Sequence, residues 1–138
     1  MREILFRGKR TDSGKWVEGE LLHDMQDRPH LYWKTPKELP IVFSNHAIVD
    51  PATLGQFTGL TDKNGKKIFE GDIVRDAQSF LFGKVIYATP QDGFDGIAGY
   101  MVDDIDDGPQ NYNGFWNQVE VIGNIHDNPE LLEVTDNA

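Results

Sequence analysis

Short apolar runs alternate along the chain with polar breaks and turn residues, and no run is long enough for a buried or spanning helix. Ile4-Leu5-Phe6 leads into Thr11-Asp12-Ser13-Gly14, and Trp16-Val17-Glu18-Gly19-Glu20-Leu21-Leu22 leads back, which reads as a hairpin. His30-Leu31-Tyr32-Trp33, Ile41-Val42-Phe43 and Ala47-Ile48-Val49 predict further short strands. They are rich in the aromatic and β-branched residues that suit a pleated, half-buried surface. Asn64-Gly65 predicts a two-residue turn with positive φ at both positions, between Gln56-Phe57-Thr58 and Ile68-Phe69. Gly71 to Val74, Phe82 to Ala88 and Gly96 to Val102 continue the strand pattern, and Asn113-Gly114 marks another hairpin turn. The cleanest alternation is Val119, Val121, Gly123 and Ile125 against Gln118, Glu120 and Asn124, with Ile122 the apolar exception. Two short helices are predicted. Asp50-Pro51-Ala52-Thr53-Leu54-Gly55 has a capping carboxylate, a proline for the first helical position and a glycine for the exit, and Asn128-Pro129-Glu130-Leu131-Leu132 repeats the grammar.

These elements describe a mainly β protein of small barrels or meanders, with one or two very short helices. Thr11 to Leu22 and Thr61 to Val74 echo each other: a turn, a lysine, large residues, Glu-Gly-acid, then two aliphatics. Either the chain holds two related β units joined near residue 60, or it reuses common turn chemistry. The division expected is a β unit over 1–60 and a second over 61–138.

Composition changes this picture in one respect. Of 138 residues, 13 are Lys or Arg and 23 are Asp or Glu, a net charge of -10. Residues 1–60 hold eight basic and eight acidic side chains; residues 61–138 hold five and fifteen, and carry the whole excess. A nucleic-acid binder needs a cationic footprint, so direct binding through Arg2, Arg7, Lys9 and Arg10 ranks last among the functional readings. The absence of cysteine excludes disulfides, thiolate metal sites and a cysteine nucleophile. With no signal-like or spanning segment, the expected location is the bacterial cytoplasm, away from the membrane.

Leu54-Gly55-Gln56-Phe57-Thr58-Gly59-Leu60-Thr61-Asp62-Lys63-Asn64-Gly65-Lys66-Lys67-Ile68-Phe69-Glu70-Gly71-Asp72-Ile73-Val74 resembles the central signature of the YopX family of phage and prophage proteins. The opening Arg2 to Arg10 and the closing Val121 to Leu132 are similar to that family's ends, so the resemblance is nearly full length. It implies a phage or prophage origin, an SH3-like barrel in the second part, and a capacity for self-association. It brings no catalytic residues.

Catalytic chemistry is equally scarce in the residues themselves. His23, His30, His46 and His126 lack the spacing that sets two ligands on one helix face, although the first three could converge in space. Asp103-Asp104-Ile105-Asp106-Asp107-Gly108 fails the calcium-loop pattern, because Ile105 stands where an oxygen ligand belongs. No metal or other cofactor is expected, and no enzymatic activity. Tyr112, Phe115 and Trp116 follow the acidic run, and aromatics beside carboxylates are what an SH3-type surface offers to a basic or proline-containing segment. Asp103, Asp104, Asp106, Asp107, Tyr112, Phe115 and Trp116 therefore form the candidate partner-binding set. Trp16, Trp33, Phe57, Phe69 and Tyr87 are assigned to the core. The functional expectation is a non-enzymatic binding or adaptor module acting on another protein. The alternative is an acidic inhibitor that mimics nucleic acid toward a host enzyme.

Overall fold

A computed structural model describes residues 4–33, 45–76, 78, 81–88, 99–106, 108–110 and 118–133. The chain divides into two units, residues 1–57 and 58–138, a few residues before the junction read near residue 60.

In the first unit, β1 (Phe6–Lys9) and β2 (Trp16–His23) form the opening hairpin, followed by β3 (Pro29–Trp33), β4 (Asn45–Ile48) and the start of β5 (Gly55–Thr61). All neighbours are antiparallel, in the order β4-β3-β2-β1-β5. The registers Gly8↔Val17, Leu21↔Leu31 and Leu31↔Ala47 put small and aliphatic residues on one face of the sheet. Leu31, Ala47, Val49 and Phe57 are buried in this unit. The opposite face carries Lys9 beside Trp16, then Glu20, Tyr32 and His46 in a row, and Leu22 beside His30. Between β4 and β5, Pro51–Thr53 forms one 3-10 turn, with the Asp50 carboxylate accepting from the Ala52 amide. It is a single turn that exits through Leu54, and Gly55 already belongs to β5.

The second unit begins in the latter part of β5, which turns into β6 (Lys67–Phe69). A five-stranded antiparallel sheet follows: β7 (Asp72–Asp76), β8 (Leu81–Ala88), β9 (Gly99–Asp104), β10 (Gly108–Gln110) and β11 (Glu120–Asn124), ordered β10-β9-β8-β7-β11. The last strand thus returns to pair with the first of the meander. Ile68, Val74, Leu81, Val85, Val102 and Val119 make one contiguous core, with Tyr100 and Val121 packed against it. Burial of each such aliphatic side chain contributes about 1.5–3 kcal/mol, which is what holds a unit with so few long elements. The closing Pro129–Leu132 segment is again a 3-10 turn.

Three expectations are corrected in detail. Asn64-Gly65 is not a two-residue turn with two positive φ values: Gly65 has φ 81°, and Asp27 is the only non-glycine residue with positive φ among the described residues. The Asp62 amide donates to the Lys66 carbonyl and the Gly65 amide to the Asp62 carbonyl, so the loop is one residue longer and ends in a left-handed glycine. The alternation through β11 is interrupted by a bulge between Val121 and Gly123, whose partners Val74 and Ile73 are consecutive. Ile122 is the inserted residue, which is why it broke the pattern. Finally, Tyr87 is 48% exposed and not a core residue, whereas Phe57 and Phe69 are buried. Ile41 to Phe43 and Asn113-Gly114 lie outside the described residues.

Candidate functional site

The acidic residues of the second unit are used in two ways. Asp62, Asp72, Asp76 and Asp104 are 4%, 1%, 5% and 8% exposed. Each accepts from the backbone: Asp62 from Asn64, Lys66 and Val121, Asp72 from Phe69, Asp76 from Gln78, and Asp104 from Phe82 and Asp106. A buried amide left without an acceptor is expensive, so these carboxylates brace turns and strand ends. Burial pushes the Asp62 carboxyl up, but the amides of Val121, Lys66 and Asn64, aided by the Lys66 charge, outweigh it and hold it below the usual range.

Of the candidate partner-binding set, Asp104 is thus turned inward, Asp103 is half-buried opposite Lys84 across the β8–β9 pair, and Asp106 is exposed. Asp103 and Asp104 meet Lys84, Ile105 and Leu132 around a hollow of about 240 Å³. Of the two carboxylates around it, Asp104 already accepts from the Phe82 and Asp106 amides, and Asp103 shares the rim with the Lys84 ammonium. A second hollow, of about 390 Å³, is walled by Lys63, Asp76, Gln78 and Gln118, and Lys63 already pairs with Glu120 at 3.5 Å. Asp107, Tyr112, Phe115 and Trp116 lie outside the described residues.

The aromatic surface that the structure does describe is elsewhere. The Tyr87↔Tyr100 register sets two rings against each other edge-to-face, with centroids 5.0 Å apart. Alternation places them on the same sheet face as Val85 and Val102, one step beyond the core at the end of the hairpin. A tyrosine inside a strand pattern reads as core from sequence; only the end of the core decides that Tyr87 is outside it.

In the first unit, sequence spacing hid a polar cluster that the β3–β4 pairing assembles. His30 Nδ1 lies 3.3 Å from His46 Nδ1, and His30 Nε2 lies 2.8 Å from Asp24 Oδ2. An ionised carboxylate only accepts, so His30 Nε2 carries a hydrogen and its Nδ1 faces His46. Tyr32 stacks on the His46 ring at 4.9 Å and 18°. The Arg28 and Gln26 amides and the Arg28 guanidinium also reach Asp24. The Arg28 amide, with His30, holds the Asp24 carboxyl well below the usual carboxylate range. His23 is exposed on β2 and His126 lies in the second unit. Of the basic residues near the N-terminus, Arg7 and Lys9 both lie over the Trp16 ring at 4.9 and 5.4 Å, Arg10 pairs with Asp12 at 2.8 Å, and Arg2 lies outside the described residues.

The architecture is that of a small, mainly β protein built from two antiparallel sheets. The family described as YopX protein matches residues 5–133, and the chain belongs to that family. It is similar in fold to the crystal structure of protein EF1440 from Enterococcus faecalis. The TM-score is 0.53 at 26% identity, covering 96% of this chain and 100% of the other. Among curated proteins, the comparison finds no match. Among the described residues, no helix is long and apolar enough to cross a membrane.

Proposed function

We propose that this protein is a non-enzymatic binding module of phage or prophage origin, acting on another protein in the bacterial cytoplasm, with an SH3-like barrel as its second unit. The strand order β10-β9-β8-β7-β11, with the last strand returning to the first, supports the barrel reading. The observation that carries the binding role is the Tyr87–Tyr100 pair: two aromatic rings prolong a core face, one of them about half exposed. Rigid aromatic rings supply contact area at low entropic cost, and the acidic balance of this unit favours a basic or proline-containing segment. The buried carboxylates of the unit support a non-enzymatic role, since the fold already uses them as amide acceptors.

The test is affinity capture from bacterial lysate at low and moderate salt, comparing the wild type with Tyr87→Ala and with a variant carrying Asp103→Asn and Asp106→Asn. A single partner lost with Tyr87→Ala and retained at moderate salt supports the proposal. A basic nucleic-acid enzyme released by moderate salt, and lost only with the two Asn substitutions, overturns it in favour of the acidic mimic. Sedimentation of the purified chain separates self-association from capture of another protein.

A further inference from the structure

The pair His30–His46 has no part in the binding role above, and its two Nδ1 atoms face each other within hydrogen-bonding distance. We infer that His30 Nδ1 and His46 Nδ1 form a two-nitrogen site for a single divalent transition ion of the Zn²⁺ class, with Asp24 as the orienting carboxylate. The two nitrogens are 3.3 Å apart. Two imidazole nitrogens each about 2.05 Å from a shared Zn²⁺ and separated by that distance subtend about 107° at the metal, close to the tetrahedral angle.

The surroundings agree with this use. Histidines that bind metal commonly donate their second ring N–H to a carboxylate, which fixes the tautomer and raises ligand basicity. Here Asp24 Oδ2 lies 2.8 Å from His30 Nε2. Three further donors to the Asp24 carboxylate hold it in place: the amides of Gln26 and Arg28 and the Arg28 guanidinium. Tyr32 stacks on His46 and His30 is buried, so both rings are already oriented, while His46 is exposed and leaves an approach for the ion. In the neutral pair one proton sits between the facing nitrogens. When the ion enters, His46 moves that proton to its own Nε2, so both Nδ1 lone pairs become ligands and no co-reactant is needed. Among the described residues, no group of three His, Cys, Asp or Glu side chains is arranged to hold a metal. Water therefore completes the shell, and the site is open and not of the closed structural type.

The experiment is calorimetric titration of Zn²⁺ into the full chain at pH 7.5, with Ca²⁺ as control and His46→Ala and Asp24→Asn as variants whose folding is checked by circular dichroism. His46 is exposed, so His46→Ala leaves the fold intact. The expected result is one saturable equivalent of Zn²⁺ and none of Ca²⁺, loss of that equivalent in His46→Ala, and affinity about 10- to 100-fold weaker in Asp24→Asn. No saturable Zn²⁺ binding at millimolar metal, or an equivalent that persists in His46→Ala, overturns the inference: the pair then shares a proton only, or the ion is held elsewhere.

Discussion

At Asp62 a single carboxylate closes the β5–β6 loop and reaches β11: Oδ1 takes the amides of Asn64 and Lys66, and Oδ2 that of Val121. Asp62→Ala leaves three amides without their acceptor and is expected to cost about 3 kcal/mol, read as a lower urea midpoint with an unchanged m-value. Because the folded-state pKa of Asp62 lies below its unfolded value, the stabilisation is fully present above the ordinary carboxylate range. It is lost as pH falls through that range toward the lowered folded pKa. Urea midpoints measured at pH 6 and pH 3 should therefore differ less in Asp62→Asn than in the wild type. Tyr87 belongs to the opposite class: its ring is 48% exposed, so Tyr87→Ala should change stability by less than about 1 kcal/mol while abolishing partner capture.

At the scale of elements, the echo between Thr11–Leu22 and Thr61–Val74 separates into like letters and unlike conformations. Gly19 sits inside β2, where a Cβ would stand 2.2 Å from the Tyr32 carbonyl oxygen. Gly71, its counterpart, has φ 92° and forms the turn between β6 and β7, its amide donating to Val85 and its carbonyl accepting from Ile125. One glycine is there for close strand approach and the other for a left-handed turn. Gly19→Ala should therefore cost more than about 3 kcal/mol by prising β3 from β2, whereas Gly71→Ala should cost about 1–2 kcal/mol in backbone strain. Thermal melts of the two variants rank them. The hairpins were legible in the sequence because Gly14, Gly65 and Asp50 signal turns and caps through local chemistry. The length of the Asn64-Gly65 loop was not, because the Asp62 side chain competes for the same amides and draws in one more residue.

Across the whole molecule, the two units differ in charge: the first is neutral and the second carries the net charge of -10. That asymmetry reads as one acidic face, yet four of the acidic side chains are buried as amide acceptors, so the exposed field is weaker than the count implies. Raising salt from low to moderate should accordingly weaken partner capture only modestly, whereas removing Tyr87 should remove it. The strand content, the turn at Gly14, the cap at Asp50 and the family were set by local patterns: alternation, turn residues and a signature read along the chain. The pairings that make chemistry were decided only in three dimensions. His30 and His46 meet because β3 and β4 pair in one register, the β2–β3 turn brings Asp24 to His30, and Tyr87 is exposed because the core ends one residue pair earlier. Side-chain convergence across strands depends on register and on where a core stops. Both are set by the packing of distant segments and leave no periodic trace in the sequence.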